Sequence, residues 1–400
     1  MTAEAHRARA SRAAEVLRVT LQLGLTSFGG PLAHIGYFER AYVRQRHWLS
    51  AEQYAALVGL CQMLPGPTSS QVGFLVGLQR AGWPGAIAAW LGFTLPSAVL
   101  LYACARLSAH VEGPLTSGAV HGLKLVAVAV VAQAVWNMAQ RLCTDLPTWL
   151  LAIAAAVALL VSGGGVGAQP AVLAVASLAG AAFCRPVKPG ATSQAQPVGR
   201  RSAWAALTVF ALVFVALGVM SRTSPHGYPA LALVFYRSGA LVFGGGHVVL
   251  PLLRDALVPP GWLTDDSFLT GYGLAQAMPG PLFTVAAYLG ALAARPAALG
   301  ALIALACIFL PGLLLAVAGR SLWDWLARQQ RLRSAITGIN AAVVGVLAAA
   351  LYNPVWTSAV HDGADVAVAA ASLAALQAWR APPLLVVFLC VGYGVARGLL

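Results

Sequence analysis

Two short segments of this sequence combine proline, glycine and an amide side chain in a way that could bind an anion. They are Gln62–Pro67 and Gln276–Pro281, which both end in Pro-Gly-Pro and lie inside apolar runs. Prolines and a glycine this close together interrupt a helix, and the last proline suits the first position of the helix that follows. Such a helix N-terminus carries about half a positive charge and unpaired N–H donors. Two such ends meeting inside a membrane would bind an anion without a buried lysine; a packing kink is the alternative.

Side chains that donate hydrogen bonds follow the first Pro-Gly-Pro more densely than the second. The first is followed by Thr68, Ser69, Ser70 and Gln71, whereas the second is followed by two apolar residues and then Thr284. A tetrahedral oxyanion accepts hydrogen bonds on several oxygens, so we predict a lopsided site with more donors from the first half.

A second motif also occurs twice, as Phe-Gly-Gly followed by Pro or Gly. It spans 28–31 with His34 nearby, and 243–246 with His247 nearby. Its glycines permit a helix break or a close helix approach. The histidines could carry protons or donate to an anion, and hydrogen-bonded packing is an equally good interpretation.

Few other polar groups are predicted to lie within the membrane. Lys124 and Arg237 fall near the start of apolar runs, where a cation either serves function or extends to the interface. The six cysteines form no CxxC pair and the eight histidines form no HExxH motif, so the sequence does not favour a metal site. It also contains no catalytic dyad, so an enzyme is not expected.

The composition places these motifs in a membrane. Apolar residues make up 59% of the chain and charged residues 9%, against about 25% charged in soluble domains. The mean hydropathy of +0.77 predicts an all-α polytopic membrane protein. Its net charge of +13 is spread over short gaps between apolar runs, which is typical of topology signals and lipid contact. Nucleic-acid binding would need a clustered basic face.

We predict about thirteen transmembrane helices from the apolar runs. The candidate spans are 18–36, 52–79, 84–107, 119–140, 147–162, 168–184, 203–220, 231–250, 267–294, 297–320, 335–352, 362–379 and 382–399. With the N-terminus inside, most basic clusters fall on the inside. Arg40, Arg44 and Arg46 would lie outside, so either that loop breaks the rule or the first apolar segment is re-entrant.

The chain contains an internal repeat with an offset of 213 to 216 residues, which relates Phe28 to Phe243, Trp48 to Trp262 and Gln62 to Gln276. It divides into an N-terminal cytoplasmic segment (1–17), a first repeat (18–184), a linker (185–202), a linking helix (203–220) and a second repeat (231–400). An odd number of spans separates equivalent elements, so we predict two inverted-topology repeats with discontinuous helices. A miscounted span would make the repeat parallel.

Five segments together resemble the chromate ion transporter (CHR) family in its long, two-domain form. They are FGGPLAHIGYFE, CQMLPGPTSSQ and GFTLPSA in the first half, and FGGGHVVLPLL and GLAQAMPGPLFT in the second. The resemblance points to these candidate substrate-binding residues: Phe28, Gly29, Gly30, Pro31, His34, Gln62, Pro65, Gly66, Pro67, Ser69, Ser70, Gln71, Phe243, Gly244, Gly245, His247, Gln276, Pro279, Gly280 and Pro281. Gly246 departs from the pattern, since the first half has Pro31 there. Thr68, Thr284 and Lys124 complete the candidate set on the residue arguments above.

The resemblance implies a transporter of the bacterial inner membrane that exports chromate and confers chromate resistance. Because chromate is a dianion and the cell interior is negative, we expect the membrane potential or the proton motive force to drive export. A sulfate or other oxyanion transporter and an anion channel remain alternatives. The expected partners are chromate or a related oxyanion and membrane lipid, with a homodimer left open. No cofactor and no nucleic acid are expected.

Overall fold

The computed structural model describes residues 3–108, 113–163, 167–186, 200–379 and 381–399, and these residues form helices without any β-strand. The α-helices are α1 (Ala3–Thr26), α2 (Gly30–Phe38), α3 (Ala51–Met63), α4 (Thr68–Ser108), α5 (Pro114–Leu142), α6 (Leu146–Val161), α7 (Ala168–Phe183), α8 (Arg200–Thr223), α9 (Tyr228–Leu241), α10 (Val249–Leu257), α11 (Asp265–Ala277), α12 (Val285–Ala293), α13 (Ala297–Arg328), α14 (Gln330–Ala350), α15 (Thr357–Ala359), α16 (Gly363–Gln377) and α17 (Pro383–Gly398). Four short 3-10 or π-helical turns adjoin them: Glu39–Gln45, Gly246–Val248, Leu282–Thr284 and Leu351–Trp356. The all-α prediction is therefore confirmed.

Five of the described helical segments are long and apolar enough to cross a membrane. They are Thr68–Ser108, Leu115–Leu142, Arg201–Thr223, Ala297–Ser321 and Gln330–Ala359. Five shorter apolar helices accompany them: Leu146–Val161, Ala168–Phe183, Leu282–Ala293, Gly363–Gln377 and Pro383–Gly398. The chain is a multi-pass membrane protein.

Residues 3–48 form a hairpin. After α1 ends, Gly29 adopts a φ of 98° and the chain turns back as α2. Arg46 then lies 3.8 Å from Glu15, and Trp48 packs against Val16. The segment 18–36, predicted as one span, is therefore the turning part of a hairpin. Its glycines reverse the chain, and the re-entrant interpretation of the first apolar segment is the one that the contacts support.

The predicted span 52–79 is a second hairpin, formed by α3 and the first part of α4, which are joined at the Pro-Gly-Pro break. Helix α4 is sharply kinked at Ala81 and Gly82, and we call the two parts of α4 on either side of the kink α4a (68–80) and α4b (83–108). Arg80, at the end of α4a, lies 3.1 Å from Glu15 and over the Trp48 ring. In both hairpins the chain therefore enters and leaves at the same end of the molecule, which we call the Glu15 end, and we say that the hairpins open there.

The second half contains two further hairpins that open at the other end. In α9–α10 the chain returns so that the Trp262 ring lies 5.4 Å from that of His226. In α11–α12 it returns to Arg295, whose carbonyl accepts a hydrogen bond from the Tyr228 hydroxyl. We call this the Trp262 end. The predicted spans 231–250 and 267–294 are thus also hairpins, because the chain reverses at the Phe-Gly-Gly motif in the first and at the Pro-Gly-Pro motif in the second.

Long helices connect the two ends, and a helix from each half packs against a helix of the other half. Helix α5 packs against α17, and the corresponding helix of the second half, α14, packs against α7. Small residues allow these approaches: Gly118 and Gly122 face α17, and Gly338 faces Gly180. Without a hydrophobic driving force in lipid, close backbone contact of this kind is a main source of helix association.

Helix starts in the connecting regions follow ordinary capping rules. Ser50 begins α3 with a capping box to Gln53, and Asp145 begins α6 with a capping box to Thr148. The hydrogen bond from the Thr148 side chain lowers the pKa of Asp145. The local sequence therefore fixes where these helices enter.

Candidate functional site

The tips of the four hairpins meet inside the molecule and are joined by a reciprocal pair of backbone hydrogen bonds. The Gly66 N–H donates to the carbonyl of Val242 at 2.7 Å, and the Gly280 N–H donates to the carbonyl of Ser27 at 2.8 Å. Each Pro-Gly-Pro tip of one half is thus bonded to the residue preceding Phe-Gly-Gly in the other half. The two motifs that the sequence singled out form one structure.

Glycine is required at both Pro-Gly-Pro tips. Gly66 has a φ of 121° and Gly280 a φ of 94°, which L side chains rarely adopt. A Cβ on Gly66 would lie 2.8 Å from the Cα of Gly312, and one on Gly280 would lie 3.0 Å from Oγ of Ser97. The tips can therefore approach the long helices α13 and α4b closely only because they lack side chains.

A helix begins directly after each of the four breaks. These helices are α2, α4a, and the 3-10 turns that lead into α10 and α12. Their N-termini converge: a Cβ built on Gly246 would lie 3.4 Å from Cγ of Pro31 and 3.7 Å from Leu282. Pro31 and Gly246 occupy equivalent positions in the two repeats and face each other. A proline at position 246 would therefore place its ring against that of Pro31. Three helix N-termini, each with a partial positive charge, therefore meet at this point.

A cavity of about 50 Å³ lies between the tips. Its lining residues come from both halves: Gly29, Gly30, Pro31, Val130, Gln133, His247, Ala275, Gln276, Met278, Gly280, Leu282 and Pro383. The volume holds a few waters or a small ion. Of the predicted site residues, it brings together the Phe-Gly-Gly glycines of the first half and the Pro-Gly-Pro residues of the second.

Several polar groups beside the breaks are buried without a hydrogen-bond partner in the described part of the chain. They include Oγ of Ser27, Oγ of Ser70 and Nε2 of His34. Nε2 of Gln276 lies near the Tyr272 hydroxyl but makes no hydrogen bond of normal geometry. Because an unpaired buried polar group is costly, these atoms indicate room for a ligand or water.

The two histidines occupy different surroundings. Nδ1 of His34 lies 3.4 Å from Oγ of Ser69, and its ring packs edge-on against Phe93. Nδ1 of His247 lies 2.8 Å from the Tyr272 hydroxyl, and His247 lines the cavity. His247 therefore faces the cavity, whereas His34 supports the start of α4a.

Some predicted donors are already used to shape the tips. Nε2 of Gln71 donates to the carbonyls of Pro65 and Gly312 at 2.8 and 2.9 Å. The Thr284 hydroxyl donates to the carbonyl of Pro281 at 2.7 Å. These side chains position the tips.

The remaining predicted residues lie at or beside the breaks with varied exposure. Buried are Pro67, Pro279 and Pro281; half-buried are Phe28, Pro65, Thr68, Phe243 and Gly245; exposed are Gln62 and Gly244. Lys124 lies elsewhere, since its Nζ forms a 2.6 Å ion pair with Asp266 at the start of α11. The ion pair holds the Lys124 side chain near the Trp262 end, away from the tip cavity, and a role of Lys124 in substrate binding stays a prediction.

Sequence reasoning missed several residues that shape the site. Gln133 lines the cavity from α5 and gave no signal beyond being a polar residue in an apolar helix. Ser97 and Gly312 contact the glycine tips and follow the repeated Leu-Pro pairs at 95–96 and 310–311. That repeat could have identified them.

A larger cavity of about 320 Å³ lies at the Trp262 end and reaches inward to Leu241. Arg237, Gln169 and Asp255 line it. Arg237 therefore lies along a path from this end toward the Phe-Gly-Gly break of the second half.

The family model described as "Chromate transporter" matches residues 14–184 and 229–395. The chain belongs to this family. The two matched parts lie on either side of α8. The resemblance seen in the sequence is thereby confirmed.

Similar proteins are named for the same substrate. A chromate transport protein of Pseudomonas aeruginosa is 28% identical over 90% of this chain and 86% of its own length. A probable chromate transport protein of Synechococcus elongatus is 28% identical over 83% of this chain and 81% of its own length. A chromate transport protein of Cupriavidus metallidurans is 25% identical over 83% and 80%, respectively. No solved structure matches the chain.

Proposed function

We propose that the two halves are inverted repeats, with nine helices crossing the membrane and four hairpins entering it. Two hairpins open at the Glu15 end and their equivalents open at the Trp262 end. The crossing helices are α4b, α5, α6, α7, α8, α13, α14, α16 and α17. The reciprocal tip hydrogen bonds and the exchanged helix contacts support a two-fold relation between the halves. This proposal replaces the count of about thirteen spans.

The Glu15 end is proposed to face the cytoplasm. It carries Arg44, Arg46 and Arg80 beside the arginine-rich start of α1. The hairpin arrangement puts the Arg40–Arg46 loop at the same end as the N-terminus, so the one loop that disagreed with the positive-inside rule now follows it.

The function supported best is a secondary transporter that exports chromate across the bacterial inner membrane and thereby confers resistance. The observation that carries this proposal is the meeting of three helix N-termini, those of α2 and of the turns that lead into α10 and α12, around a small cavity in a chain of the chromate transporter family. Oriented amides and helix dipoles stabilise an anion without a fixed counter-charge that would hold it too tightly. Sulfate has nearly the same shape and charge, so it is the main rival substrate.

The architecture supports alternating access. Hairpins from opposite ends share their tips, so a small movement of one pair against the long helices would open the cavity to one end at a time. His247, Gln276 and Gln133 would orient the oxyanion while the tip amides stabilise its charge.

The membrane potential is sufficient as a driving force for export. Moving one charge through 100 mV is worth about 2.3 kcal/mol, so a dianion leaving a negative interior gains about 4.6 kcal/mol at that potential. Uptake of the same ion would need coupling to protons or sodium. Export therefore requires no carboxylate relay at the site.

The test is chromate uptake into everted membrane vesicles, in which export from the cell appears as accumulation. Vesicles containing the protein should accumulate chromate with saturating kinetics, and excess sulfate should reduce the rate little. Equal competition by sulfate would assign a general oxyanion transporter. Accumulation no greater than in vesicles without the protein would overturn the proposal, and large single-channel currents would assign a channel.

A further inference from the structure

A cluster of histidines and carboxylates lies at the Trp262 end, away from the hairpin tips. His121 comes from the first turns of α5, Asp365 lies in the first turn of α16, and His361 lies two residues before α16 begins. Nε2 of His121 lies 2.8 Å from Oδ1 of Asp365, and Nδ1 of His361 lies 3.7 Å from Oδ2. The three ligand atoms are all within 4.8 Å of one another.

These spacings suit a tetrahedral metal ion. Two ligand atoms that are each about 2.0–2.1 Å from a tetrahedral zinc ion lie about 3.3–3.4 Å apart. The observed distances run to the two different oxygens of Asp365, 2.8 Å to Oδ1 and 3.7 Å to Oδ2, and lie on either side of that value. The shorter one is a hydrogen bond between His121 and Asp365 that a metal ion would replace. Small rotations of two imidazole rings, one of them 57% exposed, would bring the three atoms into place.

The charges of the cluster favour a cation. Two carboxylates, Asp362 and Asp365, face a single guanidinium, that of Arg397. Lys124, one turn from His121, is paired with Asp266. With histidines that bind as uncharged ligands, the cluster has a net charge of −1, which attracts a divalent ion and leaves the occupied site at +1.

The carboxylate of Asp365 is oriented by hydrogen bonds to both of its oxygens, as metal-binding carboxylates usually are. Its side chain is fully buried, and Oδ1 accepts hydrogen bonds from the Tyr393 hydroxyl at 3.0 Å and from Arg397 at 2.8 Å. Oδ2 accepts a hydrogen bond from the His361 N–H at 3.0 Å. Outer partners of this kind orient the carboxylate and are a regular feature of metal sites.

We propose that His121, His361 and Asp365 form a zinc site with one position open to solvent. Imidazole and carboxylate ligands suit Zn²⁺, and three protein ligands leave a fourth position for water. The exposed side of His361 provides that position. The site lies on the face opposite the arginine-rich Glu15 end.

Zinc would join α5 to α16 at this site. Gln133 of α5 lines the tip cavity about 18 Å further along the same helix. A metal ion here would therefore fix the outer end of a helix that contributes to the transport cavity.

The test is isothermal titration of the purified full-length chain in nanodiscs with Zn²⁺. We expect one ion per chain, with binding weakened at least tenfold in His121→Ala and His361→Ala. His226→Ala is the matched control, since this histidine is exposed at the same end but lies outside the cluster, and its binding should equal that of the unmodified chain. Co²⁺ should give the visible absorption of a tetrahedral complex, and His361→Ala should abolish it.

The absence of binding to the unmodified chain would overturn the proposal. So would equal binding by His361→Ala and His226→Ala, which would assign the zinc to other groups such as the six cysteines. Because His361 is an exposed side chain, its replacement leaves folding intact and decides the question even if His121→Ala does not insert.

Discussion

At the scale of single residues, the site combines groups that shape the tips with groups that remain unpaired. Gln71 and Thr284 bond to carbonyls of the breaks, so removing them would disturb the tips themselves. Gln276 and Ser70 have side-chain atoms without a partner. Replacing an unpaired polar group by an apolar one costs little stability and can be favourable. Substitutions of these two residues therefore test substrate binding without disturbing folding.

We predict that Gln276→Ala and Ser70→Ala raise the KM for chromate about 10- to 100-fold, the equivalent of one hydrogen bond to a charged group. The thermal stability of both variants should equal or exceed that of the unmodified chain. Flux into everted vesicles and thermal unfolding in nanodiscs check this. Gln377→Ala, whose amide lies in the groove between α14 and α16, is the control and should change neither. An unchanged KM in both variants would remove these side chains from the site.

At the scale of elements, the sequence predicted where helices break but not where the chain turns. The Pro-Gly-Pro and Phe-Gly-Gly motifs identified all four tips. Their partners were hidden, because Gly66 bonds to Val242 through main-chain atoms that leave no mark in side-chain type. A break also looks the same in sequence whether the chain continues across the membrane or reverses. The ion pairs of Glu15 with Arg46 and Arg80 distinguish the two cases.

Proline ends each tip, and we predict that Pro67→Ala and Pro281→Ala both lower the transport rate without loss of membrane insertion. Alanine restores an N–H and removes the fixed φ, so α3 or α11 can extend toward the tip and draw its glycine away from the opposite half. Vesicle flux together with the amount of protein in the membrane measures both effects. Pro147→Ala, in the first turn of α6, is the control. Full transport by both tip variants would show that the tips tolerate a continuous helix.

At the scale of the whole molecule, the hairpins change the expected topology. Thirteen alternating spans would put Arg44 outside, whereas the ion pairs put it at the same end as the N-terminal helix. We predict that a cysteine at Arg44, in a background without the six native cysteines, reacts with a membrane-impermeant maleimide only from the cytoplasmic side. A cysteine at His226 should react only from the outside. Labelling of both positions from the same side would contradict oppositely opening hairpins.

The arrangement of charges across the whole molecule leads to the last prediction. The tip cavity offers backbone amides, helix N-termini, the amides of Gln133 and Gln276 and the imidazole of His247, and its lining contains no carboxylate. A dianion then moves with its full charge, so its flux follows the potential: 100 mV is worth about 4.6 kcal/mol, or roughly a 2000-fold concentration ratio at equilibrium. We therefore expect valinomycin with potassium to abolish chromate accumulation in everted vesicles, whereas nigericin, which removes only the pH gradient, should leave it intact. The opposite result would show that protons are coupled to export and that a titratable group, with His247 of the cavity lining the first candidate, takes part.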